Sequence, residues 1–171
     1  MRTARFNLTS MPRRTALIVP VPEAEPQVAE LRLAHDSSAA RGVPAHVTIL
    51  FPFLDAGDID EAAVANLISG FPAFDFELDR VEQFPDGTTW LHPAPSLPFV
   101  DLTAAVWQRW PDHPPYEGRH DEAIPHLTVS ESPIDATFAL PISARAREVT
   151  LIEEETEGGR WIVRLHLPLL G

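Results

Sequence analysis

Two short segments carry the residues best suited to chemistry: PAHVTILFP from Pro44 to Pro52 and IPHLTVSESP from Ile124 to Pro133, each centred on His-x-Thr. Their apolar patterning reads as strands, and on a strand residues i and i+2 point the same way. His46 therefore shares a face with Thr48, and His126 with Thr128, while Val47, Ile49, Leu127 and Val129 turn away to pack. Two imidazoles on opposite sides of a phosphodiester suit one reaction well. One takes a proton from the attacking oxygen and the other gives a proton to the leaving oxygen. An ordinary pKa of about 6.5 lets both forms exist near neutrality. The hydroxyls of Thr48 and Thr128 would hold nonbridging oxygens. A lone His-x-Thr in a strand is commonplace, but a pair in matching places of a duplicated unit is not.

That duplication runs through the chain. TALIVPVP from Thr15 recurs as TTWLHPAP from Thr88, and each copy is a short strand ending in Pro-x-Pro that leads into a helical pattern, roughly Pro26 to Ala39 and Val100 to Trp110. A His-x-Thr strand follows each helix. FDFELDRVEQF-PDG-TTWLHP from Phe74 and REVTLIEEE-TEGG-RWIVRLHLP from Arg147 both read as two strands around a glycine turn, with Trp90 and Trp161 in comparable places. Helical linkers are expected over Ile59 to Ser69 and over Asp135 to Arg145. The sum is β-α-β-α-β twice, an α+β architecture of two lobes with antiparallel sheets and an approximate internal two-fold. Residues 1–12 read as a tail, and residues 13–171 as a single domain whose interlocked halves are about 13–87 and 88–171.

Composition removes other chemistries. The 171 residues include no cysteine, and all 13 basic residues are arginine. A cysteine nucleophile, a thiolate metal site, a P-loop lysine and a nucleotidyl-lysine intermediate are all impossible. The net charge is −12, and it is uneven: residues 1–45 hold six arginines against four acids, residues 46–171 seven against 21. Most of the surface would repel a long polyanion, so no long nucleic acid is expected as a partner. The apolar run from Ala16 to Val21 is too short to span a bilayer. No membrane association is expected, and the chain reads as a cytoplasmic monomer.

The motifs HVTI and HLTV, about 80 residues apart in a duplicated frame, resemble those of the two-histidine (2H) phosphoesterase superfamily, which includes 2′-5′ RNA ligase-like proteins and cyclic nucleotide phosphodiesterases. The resemblance covers the chain from Thr15 onward. It implies a central groove between the lobes and ATP- and metal-independent chemistry on 2′,3′-cyclic phosphates or 2′-5′ linkages, without a cofactor. His46 and His126 carry over as the catalytic pair, and Thr48 and Thr128 as phosphate-binding residues. Several members place a basic residue shortly after the second motif, whereas here Ser130 and Glu131 follow. Combined with the net charge of −12, that departure favours a small nucleotide or another cyclic phosphate over a tRNA-sized substrate, and the expected partner is a small nucleotide or RNA terminus.

Further candidates flank the motifs. Tyr116 lies in WPDHPPYEGRHDEAIPH, the stretch that lengthens the second repeat, and could stack on a base or bond a phosphate oxygen. Arg41 and Arg119 precede the two strands closely enough to reach a phosphate, and Phe51 could floor a base pocket. Asp112, His113, His120, Asp121 and Glu122 form an acidic loop without the spacing of a recognised metal site. His92 and His166 read as structural or exposed, and His35 ends a helix and carries no signal. Two alternatives remain: a non-catalytic nucleotide- or RNA-binding module of the same fold, and a metal-dependent phosphohydrolase built on that loop.

Overall fold

The computed structural model describes residues 12–120 and 122–171; the expected tail, Pro12 apart, and Asp121 lie outside them. Along the chain run β1 (Thr15–Pro20), α1 (Glu25–His35), α2 (Ser37–Ala40), β2 (His46–Leu50), α3 (Glu61–Ile68), β3 (Phe74–Gln83), β4 (Thr89–Ala94), α4 (Leu97–Arg109), β5 (Leu127–Ser130), β6 (Ile142–Ala146), β7 (Glu148–Glu154) and β8 (Trp161–Pro168). They form two four-stranded antiparallel sheets, ordered β2-β1-β7-β8 and β5-β4-β3-β6. The chain is thus α+β, with one sheet per lobe.

The sheets match strand for strand, which locates the two-fold. β1 corresponds to β4 and β2 to β5, and each inner strand meets its His-x-Thr neighbour through a ladder broken at the same place. The irregularity falls between Leu17 and Ile18 in one sheet and between Thr89 and Trp90 in the other. Beyond it Thr48 pairs with Ile18, and Thr128 with Trp90. The ladders therefore equate Ile18 with Trp90, one residue away from the match that the Pro-x-Pro motifs suggest.

Two expectations are corrected. Asp135 to Arg145 is no helix: residues 135–141 are irregular, and β6 follows, with Ile142, Ala144 and Ala146 buried between the more exposed Ser143 and Arg145. That period-two burial suits pairing with β3, where Ala144 lies opposite Phe76. The two hairpins exist, but they are not equivalent. β4 is an inner strand between β3 and β5, while β8 is an edge strand beside β7 alone. Trp90 consequently sits beside His126, whereas Trp161 packs on Phe51 at the other sheet, ring centroids 5.9 Å apart.

Helices cross between the halves. α4 buries Phe99, Leu102 and Val106 at helical spacing, and Thr103 donates its hydroxyl to the carbonyl of Ile49 in β2 at 2.7 Å. At the end of α1 the carbonyl of His35 accepts from the backbone N–H of Glu131, just past β5, at 2.9 Å. Each His-x-Thr strand is thus tied to the helix of the other half. One continuous buried cluster joins Leu17, Val19 and Leu151 of the first sheet to Leu78, Leu91 and Leu127 of the second. Asp36 separates α1 from α2, where a single helix was expected. Its extended backbone breaks the pattern, its carboxylate caps Ser38 N–H at 3.0 Å, and it forms a buried ion pair with Arg32 at 3.0 Å. Among the described residues no helix is long and apolar enough to cross a membrane.

Candidate active site

A cavity of about 760 Å³ opens between the two sheets. His46 enters it from β2, and His126 from the residue before β5, with Thr128 beside it. Alternation works as the strand argument requires: Val47, Ile49, Leu127 and Val129 are buried, and the two histidines and two threonines are half-buried.

Both imidazoles are anchored the same way. Nδ1 of His46 lies 2.7 Å from the carbonyl of Pro44, and Nδ1 of His126 lies 2.6 Å from the carbonyl of Ile124. A carbonyl can only accept, so in each ring Nδ1 carries the hydrogen and Nε2 of the neutral ring keeps a lone pair. The repeated anchor, two residues upstream in each motif, leaves two like-oriented bases at one cavity.

Their surroundings favour the neutral form. Burial pushes His46 down to about 4, against the hydrogen bond its ring donates to the Pro44 carbonyl; the nearby Arg32 and His126 lower it further, and Asp36 raises it. Burial also holds His126 below the ordinary imidazole value, while the Ile124 carbonyl and Asp86 act in the other direction. The two rings thus feel each other but have different neighbours.

The walls come from three places. Phe84, Pro85, Asp86 and Thr88, at the tip of the β3–β4 hairpin, line one side. Phe84 stacks on Trp90, centroids 4.7 Å apart and planes inclined 26°, and meets His126 edge-on at 5.0 Å. Asp36 and Ser38 of the α1–α2 junction contribute, as does Glu131. Tyr116, Arg119, His120 and Glu122 arrive from the long loop. Tyr116 is seated by its backbone N–H on the Phe51 carbonyl at 2.6 Å, in a left-handed conformation with φ of 51°. Burial raises its phenol above the usual value, and a hydrogen bond with Thr48 partly offsets this.

Of the residues singled out in the sequence, His46, His126, Thr128, Tyr116 and Arg119 line the cavity. Thr48 is not among the lining residues and meets the cavity only through its hydrogen bond with Tyr116. Arg41 points to Glu154, 3.7 Å away, and Phe51 packs against Trp161 and under Arg14. His92 and His166 bond Asp79 and Glu148, each at 2.8 Å, away from the cavity. His120 and Glu122 face the cavity, while Asp112 is exposed. The hairpin wall and the Asp36 junction escaped sequence reading. Only the pairing of β4 with β5 brings Phe84 and Asp86 to His126, and the one local signal was the Phe-Pro-Asp-Gly turn.

A model of the 2′-5′ RNA ligase superfamily matches residues 20–166. Solved structures share the fold. Escherichia coli LigT complexed with 3′-AMP superposes with a TM-score of 0.67 at 19% identity, covering 94% of this chain and 100% of LigT. LigT complexed with NADP+ gives 0.64 at 20%, covering 95% and 100%. A structure described as a phosphoesterase gives 0.62 at 19%, covering 94% and 100%. No curated protein matches the chain.

Proposed function

The chain belongs to the 2′-5′ RNA ligase superfamily, and from that premise we propose that it is a phosphoesterase acting on 2′,3′-cyclic phosphates or 2′-5′ phosphodiester linkages of a small nucleotide or RNA end. The observation that carries this reading is the matched pair of anchors, Pro44 to His46 and Ile124 to His126, with both rings at one cavity.

In hydrolysis of a cyclic phosphate, one neutral histidine takes a proton from water as its oxygen attacks phosphorus. The bond from phosphorus to one ring oxygen then breaks, and the second histidine, entering the step as imidazolium, protonates that oxygen. A singly charged phosphodiester between the rings supplies the negative neighbour that favours the imidazolium, opposing burial. Thr128 would donate to a nonbridging oxygen, and Tyr116, held through Thr48, would donate on the other side. Attack by a ribose hydroxyl in place of water would run the same chemistry towards ligation. Neither direction calls on ATP or a metal ion, and lysine and cysteine are not needed.

Small nucleotides fit the site's size and its aromatic wall, and the LigT complexes with 3′-AMP and NADP+ lend this support. The test is a panel of 2′,3′-cyclic mononucleotides, 2′-5′ dinucleotides and ADP-ribose cyclic phosphate, assayed with and without EDTA. Turnover that survives the chelator supports the reading. Turnover abolished by it favours metal-dependent hydrolysis, and tight binding without product favours a binding module.

A further inference from the structure

The charges around the cavity are uneven. Three carboxylates line it, those of Asp86, Glu122 and Glu131, and among the described residues none of them is in an ion pair. Asp36 also lines it, but the guanidinium of Arg32 balances that charge at 3.0 Å. Arg119 is the cation of the lining, and it is shared with Glu117 at 3.4 Å. Burial disfavours the charged form of both His46 and His126, and His120 is the third imidazole of the lining.

Two of the three carboxylates are fixed in place. The Glu131 carboxylate accepts from the Ser37 backbone N–H at 3.2 Å and from the Ser37 hydroxyl, and its own N–H is held by His35. Asp86 accepts from Thr88 N–H at 2.9 Å. A flexible acid could swing away from an approaching anion, but these two cannot do so without breaking those bonds. A lone phosphodiester charge between the histidines gains from an imidazolium formed during the reaction. A second phosphate on the same ligand finds no such compensation and faces the acidic lining.

We propose that this lining makes the site selective for phosphodiesters that carry one negative charge, such as a 2′,3′-cyclic mononucleotide with a free 5′-hydroxyl, and selects against the same ester bearing a 5′-phosphate. The proposal rests on the phosphoesterase reading above and adds the substrate class. Three unit charges acting across a solvated cavity of this size oppose a second phosphate by on the order of tenfold in kcat/KM at low ionic strength.

The experiment compares kcat/KM for adenosine 2′,3′-cyclic phosphate and its 5′-phosphorylated form at about 0.01 M and about 1 M salt, where the screening length falls from about 30 Å to about 3 Å. The expected result is a preference of about tenfold for the unphosphorylated ester at low salt that shrinks to within about twofold at high salt. Glu131→Gln and Asp86→Asn should each reduce the low-salt preference by about two- to threefold. Equal rates at low salt, or a preference that salt leaves unchanged and that therefore comes from shape, would overturn the proposal while leaving the phosphoesterase reading intact. Turnover of neither ester overturns both.

Discussion

The Phe84 ring stands edge-on to the His126 imidazole, with centroids 5.0 Å apart and planes at 88°. Among the described residues nothing in the other half repeats this contact, because Phe84 belongs to a hairpin whose counterpart lies elsewhere in the first sheet. The two histidines share their anchors but not their walls.

Removing that wall should release His126. Burial is the main cause of its lowered pKa, so Phe84→Ala is expected to raise the value towards about 6.5. Proton NMR of the imidazole C–H resonances through a pH titration reads it directly. An unchanged or lower value would show that the Phe84 contact does not desolvate the ring.

Activity should peak on the acid side. The profile of kcat/KM reports the free protein, in which His46 sits at about 4 and His126 also lies below its ordinary value. The optimum is therefore expected below pH of about 6.5, and steady-state rates from acid to neutral pH measure it. A maximum above neutrality would contradict the account.

The same histidine links folding to pH. His46 has a folded pKa below its unfolded value, so its contribution is fully present above pH of about 6.5 and is lost as pH falls through the window down to about 4. The loss is on the order of 3 kcal/mol at most. Urea unfolding of His46→Gln across that window should show a flatter decline than the parent. Parallel declines would remove the linkage.

The chain contains a single tyrosine, so the seat of Tyr116 can be read spectroscopically. The bond with Thr48 favours the phenolate while burial disfavours it. Thr48→Val removes the first and keeps the second, and should move the absorbance titration of the phenol to higher pH. A move to lower pH would mean that the loop does not rest on β2 in this way.

Near the cavity, Arg32 is 2% exposed and pairs with Asp36 at 5%. Arg32→Met strands a buried carboxylate and should cost about 3–5 kcal/mol by urea unfolding. A cost below about 1 kcal/mol would show that the pair does not carry the α1–α2 junction.

Much of this was legible beforehand because it is periodic. The alternation in His-x-Thr puts His46, His126 and Thr128 at the cavity, with the intervening apolar residues buried. The Thr15 and Thr88 segments marked β1 and β4, and the duplication gave two equivalent sheets. What was not legible depends on long-range pairing. β6 lies in the stretch from Asp135 to Arg145 that was expected to be a helical linker, yet pairing with β3 decides its state. The hairpins looked equivalent because local turn chemistry does not say on which side of a sheet the return strand will lie. Phe84 and Asp86 became visible only once β4 was placed beside β5.

The most direct test of the paired-histidine account is the turnover of a 2′,3′-cyclic mononucleotide, with EDTA present, by the parent protein and by His46→Ala and His126→Ala, with folding of each variant checked by circular dichroism. The parent should produce the mononucleotide monoester, and each folded variant should lose on the order of 10³-fold in kcat. A folded variant of either histidine that retains near-parental kcat would contradict the account.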